Sequence, residues 1–176
     1  MDPVTPDQLT LLAQAAASGD DAALAELIRA TQPSVHRLCT HLGSRAEADD
    51  LTQDTYLRAL RALPSFRGEA PVLVWLLSIA RHVCADAVRK RVRRSAIDRR
   101  FRPRAGFVDP DHRVVLDDLI TRLDPDQATA FLLTQEMDLS YEDAARVCDC
   151  PIGTVRSRVA RARAALIAGI RDAEVG

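Results

Sequence analysis

The sequence predicts an all-α protein of two small helical domains joined by a flexible basic linker. Three observations carry that prediction. Aromatic residues make up only 4% of the 176-residue chain while hydrophobic residues make up 47%, and Ala, Leu and Arg, all good helix formers, dominate. Apolar residues recur at three- and four-residue spacing almost throughout, and no stretch alternates as a strand would. From about Val92 to His112 the periodicity lapses and Arg, Pro, Gly and Asp gather, as in a linker. The domains expected on this basis are residues 1–92 and 113–176, with the linker over 93–112.

The elements follow from local signals. Asp20 is placed to cap a helix through "DAALAELIRA", where Leu24, Leu27 and Ile28 share a face, and Pro33 bends or restarts it before Val35, Leu38 and Leu42. Ser44 and Glu47 have the spacing of a capping box for the next helix, which ends near Pro64. "PSFRGEAP" reads as a loop, and Pro71 opens a long apolar helix, "VLVWLLSIARHVCADAVRKR". Past the linker, "RVVLDDLITRL", "PDQATAFLLTQ" and "SYEDAARVC" are helical, and a last helix runs from Pro151 to about Ile170.

The net charge of −1 hides strong segregation. Residues 1–54 hold nine acids against three bases, and residues 105–145 ten acids against two. Residues 86–104 hold nine bases against two acids, and residues 146–163 five arginines against Asp149. Two basic blocks set among acidic ones suit two contacts with a polyanion. No run of about eighteen apolar residues occurs, and the first residues are acidic, so neither membrane insertion nor a secretion signal is expected. Cysteines at 39, 84, 148 and 150 are too sparse and irregular for a disulfide framework and suit a reduced cytoplasm.

The stretch "SYEDAARVCDCPIGTVRSRVARAR" carries the most specific local pattern. Ser140 and Asp143 form a capping pair for a short helix whose apolar face is Tyr141, Ala144, Ala145 and Cys148. Asp149 falls where a tight turn is needed, and aspartate tolerates the left-handed conformation better than most residues. Val155, Val159, Ala162 and Leu166 form the buried stripe of the following helix, with Arg156, Arg158, Arg161 and Arg163 off it and Thr154 and Ser157 near its start. This is a helix-turn-helix layout, with a second helix suited to the major groove. The alternative is a solvated charged helix on a bundle.

Catalytic and metal chemistry find no support. Cys148 and Cys150 lack a second Cys or His pair at zinc-ligand spacing, and a disulfide between them would be badly strained. His82 and Asp86 share a helix face, but Cys84 points about 200° from His82, so no nucleophile–base pair forms within that segment. Asp49-Asp50 and Asp117-Asp118 are adjacent and diverge. No phosphate-binding, serine-hydrolase or zinc-protease motif occurs. The expectation is therefore no catalytic residue, no metal and no cofactor.

The N-terminal half carries the family resemblance. "ADDLTQDTYLRALRALPSFRG" and "VLVWLLSIARHVCADAVRKR" resemble region 2 of the extracytoplasmic-function (ECF) sigma factors of bacterial RNA polymerase. "LSYEDAARVCDCPIGTVRSRVARARAAL" is similar to their region 4, with Asp149 standing where many members carry Gly. The resemblance implies that Asp49, Asp50, Leu51, Gln53, Asp54, Leu57 and Arg58 bind core RNA polymerase at the clamp helices of its beta′ subunit. It implies that Phe66, Arg67, Trp75, Arg81, His82, Arg89 and Lys90 recognise the minus-ten element of promoter DNA and assist strand opening. It implies that Thr154, Arg156, Ser157, Arg158, Arg161 and Arg163 read the minus-thirty-five element, with region 4 seated on the beta flap. An anti-sigma factor is a partner the family often uses. The protein is expected in the bacterial cytoplasm, as a monomer when free of polymerase. An autonomous repressor would leave the Asp49–Arg58 helix without a role, and a protein-binding adaptor would leave the basic blocks without one.

Overall fold

The computed structural model describes residues 5–97, 119, 120 and 122–175, with side chains as far as 93 in the first stretch and 171 in the last. Of the predicted linker over 93–112, residues 93–97 are helical, continuing the long helix that begins at Val72 instead of breaking from it; the rest of the linker and most of "RVVLDDLITRL" lie outside the described residues. The chain divides into two units, Met1–Asp86 and Ala87–Gly176, with the division falling inside a helix. Among the described residues every regular element is helical.

The first unit opens with α1 (Pro6–Ala17), which the reading of the sequence passed over. Its signal was present as a capping box: the amide of Gln8 donates to Thr5 Oγ1 at 3.3 Å, the amide of Thr5 donates to Gln8 Oε1 at 2.8 Å, and Pro6 sits at the first helical position. Gly19 then takes φ +97°, so that Gly19 and Asp20 return their amides to Ala16 and Ala15. This is the Schellman pattern, which satisfies carbonyls the helix end leaves open.

α2 (Asp21–Leu42) is capped as expected, Asp20 Oδ1 accepting from the amides of Ala22 and Ala23 at 2.9 and 3.0 Å. It runs through Pro33 as one helix and does not restart there. Ser44 does not cap α3 (Ala48–Ala62). Its hydroxyl donates to Glu47 Oε2 at 2.7 Å, and the helix begins after Glu47 with no side-chain cap. The predicted box was in the sequence, but the turn at residues 45–47 places it ahead of the helix. α3 ends in a short 3-10 turn, Leu63–Ser65, before α4 (Val72–Ile97).

Val35, Leu38, Leu76, Leu77 and Val83 are fully buried between these helices. Burying each such side chain contributes about 1.5–3 kcal/mol. Thr31, Thr52 and Thr55 are buried with them, their hydroxyls donating to the carbonyls of Leu27, Ala48 and Leu51 at 2.7 Å each. Those bonds remove the cost of leaving a polar group dry.

The second unit holds α5 (Pro125–Phe131), a π-helical turn over Leu132–Glu136, α6 (Tyr141–Cys148) and α7 (Ile152–Val175). α5 and α6 both pack on α7. Ile120, Ala128, Leu132 and Leu166 form one core cluster, with Leu119, Leu123 and Phe131 against it. The stripe Val155, Val159, Ala162 and Leu166 is buried as the pattern required. Two glycines of α7 differ in surroundings: a Cβ on Gly169 would lie 2.6 Å from Leu119 Cδ2, whereas one on Gly153 would meet nothing within 4 Å.

Candidate functional site

α3 sorts its residues by face. Leu51, Thr52, Thr55 and Ala59 point into the core, while Asp49, Asp50, Gln53, Asp54 and Leu57 are exposed. Leu51 therefore stands apart from the other residues expected to meet polymerase. It is buried against the α2–α3 turn, where a Cβ on Gly43 would fall 2.3 Å from its Cδ1. Leu57, at 46% exposure, borders a cleft of about 300 Å³ between α2 and α3. Asp49 and Gln53, both expected at the polymerase face, also line it, as do Thr52 and five residues to which sequence reasoning had assigned no such role: Ile28, Gln32, His36, Tyr56 and Leu60. The spacing Gln53–Leu57–Leu60, one face of a helix, was the available signal.

Three contacts hold the charged side chains of this face. His36 Nε2 lies 3.1 Å from Asp49 Oδ1, joining α2 to α3. Arg58 donates from Nη1 to Asp86 Oδ2 at 3.0 Å, joining α3 to α4, and its Nη2 lies 3.5 Å from Asp54 Oδ2. Tyr56 is tied to α2 through Thr31, their hydroxyls 2.8 Å apart. Burial pushes the Tyr56 phenol up to about 12.

The loop before α4 brings Phe66 and Trp75 together, ring centroids 5.0 Å apart and planes tilted by 43°, a favourable aromatic arrangement. Arg67 is exposed beside Gly68, which takes φ +70°. On α4, Arg81 is half-buried and His82 exposed, with His82 Nδ1 2.7 Å from the carbonyl oxygen of Ser78. A carbonyl only accepts, so Nδ1 carries the proton. Arg89 and Lys90 lie exposed further along the helix. Asp86 is engaged by Arg58. Cys84 is buried, its thiol pushed well above the ordinary range by its hydrogen bond with Cys39 and by burial, so it is a poor nucleophile.

The helix-turn-helix is built as its residues require. Ser140 Oγ accepts from the amide of Asp143 at 3.0 Å and its hydroxyl donates to Asp143 Oδ2 at 2.8 Å. Asp149 takes φ 50°, ψ 52°, the left-handed region. The amides of Asp149 and Cys150 return to the carbonyls of Arg146 and Ala145 at 3.3 and 3.2 Å, repeating at α6 the Schellman pattern of α1 with aspartate in place of glycine. Cys148 is buried on the apolar face of α6, and Val147, which the periodicity argument left out, is buried with it.

Along α7, Arg156 and Arg161 are exposed, Thr154 is half-buried, and Ser157 donates to the carbonyl of Thr154 at 2.9 Å. Arg158 and Arg163 are engaged within the unit, Arg158 with Asp126 of α5 and Arg163 with Gln135 of the π-helical turn. Arg158 Nη1 also donates to Cys150 Sγ at 3.4 Å.

Two helical units with an acid-and-leucine face on one and an arginine-bearing helix-turn-helix on the other match two protein families in the same order. Residues 27–94 match Sigma-70 region 2, and residues 113–166 match Sigma-70 region 4. The chain belongs to the ECF sigma factors of RNA polymerase, the proteins that direct the polymerase to promoters. It is 46% identical over 175 residues to the ECF RNA polymerase sigma factor SigC of Mycobacterium tuberculosis (strain CDC 1551 / Oshkosh), covering 96% of this chain and 92% of that protein. It is 32% identical to the ECF RNA polymerase sigma-E factor of Haemophilus influenzae, covering 89% and 93%. Among solved structures, the sigma factor RpoE of Bartonella quintana, in complex with the anti-sigma factor NepR, superposes with a TM-score of 0.76 at 29% identity, covering 84% of this chain and 96% of that one. CnrH in complex with the cytosolic domain of CnrY gives 0.71 at 28% identity, covering 93% and 96%. Among the described residues, no helix is long and apolar enough to cross a membrane.

Proposed function

We propose that this sigma factor docks on core RNA polymerase through the outer face of α3 and reads promoter DNA at two places. The carrying observation is the division of α3, with Asp49, Asp50, Gln53, Asp54 and Leu57 outside and Leu51 inside. An acidic, partly apolar surface offers both ion pairs and a dehydrating anchor to a protein partner, and a DNA-binding repressor has no use for it. Arg58 and Leu51 contribute by holding that face in place. The clamp helices of the beta′ subunit are the partner in this reading, with region 4 resting on the beta flap.

Phe66, Arg67, Trp75, Arg81, His82, Arg89 and Lys90 serve the minus-ten element. The Phe66–Trp75 pair supplies stacking and the basic side chains supply charge, which offset the few kcal/mol that taking a base from the stack costs. Thr154, Arg156, Ser157, Arg161 and Arg163 serve the minus-thirty-five element. The division of labour assigns residues 1–92 to region 2, 93–112 to the linker and 113–176 to region 4. The protein acts in the cytoplasm, is a monomer when free of polymerase and catalyses no reaction. An anti-sigma factor is a candidate partner, since the Bartonella quintana neighbour is held by one.

In vitro transcription from a genomic promoter library, with bacterial core polymerase and this chain added, tests the reading. Promoter-specific transcripts that depend on the chain are expected. Tight duplex binding by the chain alone, with no such transcript from any core enzyme, would favour a repressor and defeat the proposal.

A further inference from the structure

The resemblance to region 4 gives every arginine at the start of the recognition helix a place on DNA, but the structure separates them. Arg156 and Arg161 are exposed. Arg158 is only 20% exposed along its side chain, and both ends of its guanidinium are occupied. Nη2 donates to Asp126 Oδ2 on α5, a residue 32 positions earlier, and Nη1 donates to Cys150 Sγ in the turn. One planar group with donors in a fixed fork thus joins α5, the turn and α7. Asp126 is itself fixed, because its amide donates to Asp124 Oδ1 at 3.0 Å in the cap of α5.

A guanidinium satisfied by a carboxylate, on a side chain mostly withdrawn from solvent, would have to break a charge-assisted pair before it could reach a phosphate. Holding the helix in register does not require that break. We infer that Arg158 is a positioning residue for promoter recognition rather than a DNA contact: through Asp126 and Cys150 it fixes the angle at which the first turns of α7 leave the Asp149 turn. The inference rests on the reading of α7 as the minus-thirty-five helix. It makes Asp126, far from the DNA-reading motif in sequence, a determinant of promoter use.

The two roles give opposite signs for Asp126→Asn. A positioning role predicts that the holoenzyme binds its minus-thirty-five duplex about two- to fivefold more weakly, the range a partly exposed ion pair contributes. A DNA-contact role predicts tighter binding, because the arginine is released. The measurement uses full-length chain assembled with core polymerase, on a promoter selected by the unaltered holoenzyme, with the fold of each variant checked by circular dichroism.

The charge swap Asp126→Arg with Arg158→Asp should recover most of the binding that Arg158→Asp loses. Arg158→Ala should leave the salt dependence of binding unchanged, where a lost phosphate contact would lower the slope by about one. A swap that regains thermal stability yet stays as defective as Arg158→Asp overturns the inference, and so does tighter binding by Asp126→Asn. Arg156→Ala serves as the separate control. If neither it nor a scrambled minus-thirty-five element alters binding, the recognition-helix reading fails and the inference falls with it.

Discussion

The outer faces of α3 and α7 are both polar helix surfaces, yet they are constructed in opposite ways. α3 exposes carboxylates beside half-exposed Leu57 and Leu60, along a cleft whose lining includes Ile28 and Tyr56. Over residues 153–163 α7 exposes arginines and its apolar stripe of Val155, Val159 and Ala162 is covered, while Ile152, Ile167 and Ile170 are exposed outside that stretch. A face with uncovered leucines gains by losing water against another protein. A face of guanidinium groups gains by displacing counterions from phosphates, and stays wet and salt-sensitive. On the proposed function, one small chain separates its two kinds of partner by solvation as much as by sign of charge.

The largest effect expected is structural and marks the baseline for both faces. Leu38→Ala, at a position with no exposure, should cost about 2–5 kcal/mol in urea unfolding. Arg156→Ala should weaken binding to the minus-thirty-five element by about 1–3 kcal/mol where the side chain reaches a base edge, with the melting temperature unmoved. Leu57→Ala should weaken binding to core polymerase by about 1 kcal/mol, and titrations at several salt concentrations should show it far less salt-dependent than the arginine effect. Equal salt dependence at the two faces would erase the contrast.

Ser140→Ala should cost about 1 kcal/mol, since the serine caps α6 and also bonds Asp143. Its loss should appear equally in stability and in minus-thirty-five binding, and not in polymerase binding. The smallest effect concerns the hydroxyl pair behind the α3 face. Tyr56 is raised from 10.0 to about 12 by burial, so the fold favours the neutral phenol. The stability this contributes is full below the unfolded value and is lost as pH climbs through the folded one. Unfolding followed between those two values should steepen with pH in the native protein, and Tyr56→Phe should remove that component.

The parts of this molecule that were legible in its sequence are those whose causes are local. The Asp20 and Ser140 caps, the left-handed Asp149 and the buried stripe of α7 depend on residues within a turn or two of each other. α1 was equally local and was still passed over, because Thr5 and Gln8 stand in a stretch with little apolar periodicity before Leu9. The Ser44–Glu47 pair shows the converse: correct spacing, used ahead of the helix rather than on it. Leu51 fits the family motif, but only the packing at Gly43 reveals that it faces inward. The π-helical turn at Leu132–Glu136 has no sequence marker. The engagement of Arg158 by Asp126 joins residues 32 apart, a distance over which no periodicity carries information.

The two glycines of α7 bear on how this protein could change. Alanine normally stiffens a helix by about 1 kcal/mol relative to glycine, so each is a nominal opportunity for a sturdier chain. At Gly169 the Leu119 side chain would have to turn aside to admit a methyl group. Gly153 is open to it, with nothing nearby to obstruct, but it lies in the first turn of the helix proposed to read the promoter. In α7, then, the position most open to a stabilising methyl group lies in the turn that the proposed function assigns to promoter DNA.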